Sequence, residues 1–229
     1  MKKLILLLAL AATFGATAQT KSELTKHFEA YYKQMKSQGD VQGVINAMTH
    51  LNVLQPSQAR LDTLAYIYAS ENRNLEALNT LGIDQNPTDT DMNTEVKAIA
   101  LKALNQPQRA LVFYEELFKR SANSYLAYEI ADLKIQTKDL AGAKAKVDYG
   151  LVNVKPEEKR AYYESQRPYE VSLKGALTYL KALILFNMNQ TDNLDAAIGL
   201  LDEALALDAN FNLAKISKDA LVAKKEGKQ

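Results

Sequence analysis

Hydrophobic residues after about position 20 recur at intervals of three and four, as in Leu61, Leu64, Ala65 and Tyr68. This spacing places apolar side chains on one face of an α-helix. Ala, Leu, Lys, Glu and Gln dominate these segments and favour helix formation, whereas Pro residues such as Pro87 and Pro107 fall between them. No alternating strand pattern stands out. The sequence therefore predicts an all-α chain.

A longer period runs through the predicted helices. Leu61, Leu64, Ala65 and Tyr68 are followed by Ala77, and similar arrangements of large and small residues return along the chain. The small residues that mark each second helix are Gly43, Ala77, Ala110, Ala143 and Ala197. The intervals between the first four are nearly equal, and only the last interval is longer. A fixed period of about 34 residues, which the first three intervals match, is typical of proteins built from repeated helix pairs.

On these residues the chain resembles the tetratricopeptide repeat (TPR) family. The resemblance implies a right-handed α-solenoid of about five helix pairs, with a capping helix near residues 210–225. Ala65 and Ala77 are then expected at a close helix crossing. Thr94 and Lys97 depart from the pattern by replacing large apolar residues, and Lys134 replaces an aromatic one. The alternative is an unrelated up-and-down bundle, although bundles lack a fixed long period.

The longer interval from Ala143 to Ala197 predicts an insertion near residues 151–172. Pro156 and the two acidic residues after it are typical of a helix start, and Pro168 of a helix end. The insertion is rich in arginine and tyrosine: Arg160, Tyr162, Tyr163, Arg167 and Tyr169. We favour a short helix that covers an exposed edge of the solenoid. The alternative is a partner-binding segment, because Arg and Tyr are frequent interface anchors.

The segment over residues 1–18 has the pattern of a secretory signal peptide. Lys2 and Lys3 precede an apolar run over residues 4–12, and Ala16-Thr17-Ala18 supplies a small-x-small cleavage pattern. The run is too short to span a bilayer, which takes about 20 residues. We expect cleavage after Ala18, a repeat domain over residues 19–229 and no membrane span in the mature protein. The predicted location is the periplasm, or the medium if the protein is secreted.

Composition and motifs exclude several classes of function. The 28 basic and 27 acidic residues give a formal charge of +1, without the basic excess typical of nucleic-acid binding. The chain has no cysteine and only two histidines, His27 and His50. No nucleotide-binding, metalloprotease or hydrolase motif is present. We therefore predict no enzymatic activity, no cofactor and no metal.

One acidic run, Asp89–Glu95, imitates the start of a calcium-binding loop. The loop would need a glycine at Thr94 and a bidentate glutamate at Ala100. We interpret the run as the cap and first turn of a helix that begins near Asp91.

In the TPR family the first helices line a concave surface that holds extended or helical peptides. Carried across, the resemblance implies these partner-binding residues: Phe28, Tyr32, Tyr66, Ile99, Tyr125, Tyr128, Asp132, Tyr179 and Phe186. Acidic residues fall on the same helices and favour a basic partner: Glu29, Asp62, Glu95, Glu129 and Asp132. Lys36 and Lys102 are isolated, so the carboxylate clamp of some family members is expected to be absent. Alternatively, some of the rings pack between repeats.

The implied function is non-catalytic binding of a protein or peptide partner in the bacterial cell envelope. One alternative is a structural subunit of an envelope assembly. The other is a secreted helical enzyme that uses paired carboxylates.

Overall fold

The computed structural model describes residues 20–227, so the predicted signal peptide lies outside the described residues. The described part contains eleven helices and one two-stranded sheet. The elements in chain order are α1 (Lys21–Gln38), α2 (Val41–Leu54), α3 (Gln58–Ser70), α4 (Asn74–Leu81), α5 (Asp91–Ala103), α6 (Pro107–Arg120), α7 (Ser124–Gln136), α8 (Leu140–Asn153), β1 (Lys159–Tyr162), β2 (Tyr169–Ser172), α9 (Leu173–Met188), α10 (Leu194–Leu207) and α11 (Asn212–Lys225).

Consecutive helices pack as five pairs, α1–α2, α3–α4, α5–α6, α7–α8 and α9–α10, and α11 packs on α10. Each second helix also contacts the first helix of the next pair, so the pairs form one continuous stack. In such a stack each repeat buries its apolar face only against its neighbours. The predicted all-α solenoid of TPR-like helix pairs with a C-terminal cap is therefore confirmed.

The turn inside each of the first four pairs has the same backbone geometry. A left-handed residue follows each first helix, at Gly39, Asn72, Asn105 and Lys138, and these positions are equally spaced along the chain. The next residue donates its backbone N–H to a carbonyl five positions earlier, as Arg73 does to Tyr68 at 2.8 Å. These bonds satisfy carbonyls at the helix end. The period seen in the side chains is thus repeated in the backbone.

Small residues lie at the crossings between helices. Ala65 and Ala77 have no exposed surface and share a core cluster with Val96, as the sequence predicts. The equivalent alanines of later pairs are also fully buried: Ala98, Ala110, Ala131, Ala143 and Ala197. Side chains larger than methyl would push the helices apart at these points.

The unusual Lys97 on α5 is fully buried and paired. Its Nζ lies 2.6 Å from Asp89 Oδ2 and 2.8 Å from the carbonyl oxygen of Asp84. Thr90, just before α5, caps this helix by accepting the backbone N–H of Asn93 at 3.2 Å. The acidic run therefore begins a helix at the predicted place. It also supplies the counter-ion of a lysine that the apolar pattern could not explain.

The insertion after α8 is a β-hairpin, so the predicted short helix at Pro156 is wrong. β1 and β2 are antiparallel, with Arg160 opposite Val171 and Tyr162 opposite Tyr169. Side chains two residues apart on a strand share a face, so the side chains of these four residues lie on the same face of the hairpin. The hairpin thereby buries Tyr162 and Val171 together. Both strands pack on α9, and α9 still contacts α7 and α8, so the stack continues across the insertion.

Between residues 20 and 227, none of the helices is long and apolar enough to cross a membrane.

Candidate partner-binding surface

The exposed side of the first helices of the pairs, α1, α3, α5, α7 and α9, is called here the first-helix face; α3 packs on α5, and α7 packs on α9. Three of the predicted partner-binding residues expose a large part of their side chains on it. Tyr66 on α3 is 55% exposed, Ile99 on α5 is 42% exposed and Tyr125 on α7 is 44% exposed. Tyr66 and Ile99 hold the same position on successive first helices. Packing between repeats does not account for these three side chains.

Tyr128, by contrast, is 3% exposed and belongs to the core. Its hydroxyl lies 2.8 Å from the hydroxyl of Tyr162 on β1. Burial raises the pKa of Tyr128 well above its ordinary value, and it raises the pKa of Tyr162 to about 12. The interpretation of Tyr128 as an open binding residue is therefore wrong, because the hairpin covers its ring.

The hairpin carries Arg160 into contact with the tyrosines of α7. The central guanidinium carbon lies 4.2 Å from the ring centroid of Tyr128, 5.6 Å from that of Tyr125 and 5.8 Å from that of Tyr162. A guanidinium within about 6 Å of an aromatic face is attracted by the ring quadrupole. Arg160 also pairs with the Glu129 carboxylate. These contacts hold the hairpin against the first-helix face at α7.

Four charged groups, two acidic and two basic, form a chain of ion pairs at this point. Lys102 Nζ lies 2.6 Å from Glu129 Oε2 and 2.8 Å from Asp132 Oδ2, and Arg160 contacts the other oxygen of Glu129. Burial by itself would lower the pKa of Lys102, but the two carboxylates raise it overall. Lys102 is therefore not isolated. The expectation that Glu129 and Asp132 attract a basic partner is wrong, because cations of the same chain already neutralise them.

The hairpin also connects the first-helix face to the C-terminal cap. Tyr162 stacks on Tyr169 with ring centroids 5.6 Å apart, and it contacts Phe211, just before α11, at 5.1 Å. Tyr179 on α9 lies 5.1 Å from the same Phe211 ring. The half-buried Tyr179 is thus part of this packing. The insertion covers the α7–α9 end of the face, while Tyr163 beyond β1 stays exposed.

The remaining predicted rings pack within the chain. Phe28 stacks on His50 with centroids 4.3 Å apart, and Tyr32 packs against the core cluster of the first pair. Phe186 lies 5.7 Å from Lys224 Nζ on the cap. Each of these side chains is half-buried. Asp62 is buried, and its Oδ1 accepts hydrogen bonds from the side-chain amides of Gln58 and Asn93.

A cavity of about 450 Å³ opens between α5, the end of α6, the start of α7 and the residue before β1. Its apolar lining includes Leu117, Leu126 and the Tyr125 ring. Its acidic lining consists of Asp91, Glu95 and Glu158. Sequence reasoning did not identify Glu158, because only the hairpin fold brings this residue to α5 and α7.

Three solved structures of TPR proteins are similar to this chain. A tetratricopeptide repeat protein from Parabacteroides merdae has 13% identity and a TM-score of 0.48, with 94% of this chain and 76% of that chain covered. A thermophilic TPR protein from Thermus thermophilus has 12% identity and a TM-score of 0.49, with 86% and 98% covered. A TPR repeats protein from Bacteroides fragilis has 11% identity and a TM-score of 0.44, with 87% and 98% covered.

No protein-family model and no curated protein matches the chain. The assignment of a TPR-like fold to this chain rests on the helix pairs and the regular recurrences described above.

Proposed function

We propose that the protein is a non-catalytic scaffold of the bacterial cell envelope that binds a peptide or helix of a partner protein. The binding surface is the part of the first-helix face that the hairpin leaves open. The observation that carries this proposal is the exposure of Tyr66, Ile99 and Tyr125 on three successive first helices. Large side chains, aromatic ones above all, are the residues from which proteins build interface anchors.

The proposed location follows from the amino-terminal pattern of residues 1–18, with its lysines, apolar run and Ala-Thr-Ala segment. Cleavage after Ala18 would release the repeat domain into the periplasm. Mass spectrometry of the exported protein would then give Gln19 as the first residue. An intact amino terminus in the membrane fraction would contradict this location.

Capture of partners from an envelope extract tests the binding surface. Ile99→Ala should lose most of the captured partner, because truncation of an interface anchor costs about 2 kcal/mol or more. Val112→Ala is the matched control, since Val112 on the second helix α6 has a similar exposure of 43%. Both variants should keep the thermal stability of the wild type.

The same experiment distinguishes the alternatives. Capture that depends on Val112 but not on Ile99 would favour a structural subunit bound through its second helices. Capture that depends on Tyr163 would move the binding surface to the insertion. Either result would contradict the proposed surface.

A further inference from the structure

The cavity beside Tyr125 combines an accessible aromatic ring with two carboxylates that form no ion pair within the described part of the chain. Within residues 20–227, the Glu95 side chain makes no hydrogen bond or ion pair. Among the described residues, the Glu158 carboxylate accepts one hydrogen bond, from the backbone N–H of Lys155 at 2.7 Å. Asp91 is already paired with Arg120, 3.0 Å away. Two carboxylates on the wall of the cavity are thus free to receive a cation.

Two cations of the neighbouring charged network are already paired with carboxylates of their own. Lys102 is held by Glu129 and Asp132, and Arg160 is held by Glu129. Along the face, the position of Glu95 is occupied one period earlier by Asp62, whose hydrogen-bond partners are neutral amides. Asp62 is buried, so the exposed negative charge beside the cavity comes from Glu95 and Glu158, and it favours a positively charged partner.

The chain itself shows how this face receives a guanidinium group. Arg160 enters from the hairpin and is bound by one carboxylate, Glu129, and by the rings of Tyr125 and Tyr128. The cavity repeats that combination with Glu95, Glu158 and the same Tyr125 ring. Its volume of about 450 Å³ falls within the range of binding pockets, about 300–1,000 Å³.

We infer that this cavity binds an arginine or lysine side chain of a partner peptide. The charged group lies between Glu95 and Glu158, and the aliphatic stem packs on Tyr125 and Leu126. The flanking residues of the peptide run along Ile99 towards Tyr66. This inference rests on the proposed function and specifies the chemistry of the partner.

The test begins with selection of random peptides of about twelve residues on the immobilised protein. The selected peptides should share an arginine or lysine at one position. A synthetic peptide from the selection is then titrated against wild type and Glu95→Gln/Glu158→Gln. The double variant should bind about tenfold more weakly, as expected for two partly exposed charge pairs. Glu203→Gln on α10 is the matched control and should bind as wild type.

A second arm replaces the basic residue of the peptide with glutamine. If the cavity holds that residue, the glutamine peptide binds the wild-type protein more weakly than the original peptide does. The glutamine peptide should, however, bind the wild-type protein and the double variant with equal affinity. Such non-additivity identifies two groups in contact. Unfolding curves of the protein variants should match that of wild type.

The outcomes separate the inference from the proposed function. The inference would be overturned if the selected peptides shared no basic residue. It would also be overturned if the synthetic peptide bound the double variant as tightly as the wild-type protein. If their binding were still lost on Ile99→Ala, the proposed surface would stand. Failure to select any peptide would overturn both.

Discussion

Replacement of Glu129 by glutamine tests whether the charged network fastens the hairpin to the repeats. The Glu129 side chain is only 3% exposed and receives Lys102 on one oxygen and Arg160 on the other. Loss of one partner of a buried ion pair destabilises a protein by about 3–5 kcal/mol, because the remaining charge is left uncompensated.

The structure places the expected loss for Glu129→Gln near the lower end of that range, at about 3 kcal/mol. Lys102 keeps Asp132 at 2.8 Å, and the glutamine carbonyl can still accept one hydrogen bond. Arg160, however, loses its only carboxylate among the described residues. Its side chain is 17% exposed, so water compensates the charge only in part.

The assay is urea denaturation of the variant beside Glu115→Gln as a matched control. Glu115 also contacts two lysines, Lys134 at 3.4 Å and Lys146 at 3.0 Å, but its side chain is 31% exposed. The control should lose about 1 kcal/mol or less. Glu129→Gln should also speed tryptic cleavage after Arg160. An equal loss in both variants, with unchanged cleavage, would refute the proposed fastening.

Three further predictions address the repeat frame, its turns and the buried tyrosines. Ala77→Leu should overpack the helix crossing and lower the free energy of unfolding, measured by urea denaturation, by about 1–3 kcal/mol. The control Ala206→Leu, at an exposed position, should not lower it, and equal stabilities of the two variants would mean that the crossing is misplaced. Lys138 has a φ of 64°, so Lys138→Gly should stabilise the fold by about 0.5–1 kcal/mol, and a lower melting temperature would contradict the turn geometry. Burial raises the pKa of Tyr162 from 10.0 to about 12. Between these two pH values the folded state therefore binds more protons than the unfolded state, and the free energy of unfolding falls as pH rises, by up to about 3 kcal/mol. Tyr162→Phe should reduce that alkaline loss in urea denaturation at successive pH values, and parallel curves for variant and wild type would contradict it.

The repeat frame was predictable from the sequence because it depends on local and periodic signals. Ala65 and Ala77 of the second pair recur as Ala98 and Ala110 and then as Ala131 and Ala143 in the next two pairs. Each is small because two helices cross there. The left-handed turn residues follow the same period, and glycine or asparagine at Gly39, Asn72 and Asn105 is the local signal for such turns.

The hairpin was not predictable in the same way. Its strands have four residues each, too few for an alternating pattern to stand out. Their pairing depends on tertiary contacts of Tyr162 with Phe211 and of Arg160 with Glu129. Pro156 gave a local helix signal that these distant contacts overrode.

The candidate site also contains some residues that were predictable from the sequence and others that were not. Tyr66, Ile99 and Tyr125 were predictable because they hold outward positions on periodic helices. The burial of Tyr128 and the neutralisation of Glu129 both result from the hairpin, so no pattern within α7 could reveal them. Glu158 joins the cavity for the same reason.

Hydrogen exchange of the protein alone and in complex with its captured partner tests the binding surface most directly. Exchange should slow at the first helices, over residues 58–70, 91–103 and the start of 124–136, since a bound partner shields these backbones and lowers local opening. The second helices over residues 107–120 and 194–207 should exchange at unchanged rates. Protection confined to the second helices, with none on α3 and α5, would contradict binding on the first-helix face.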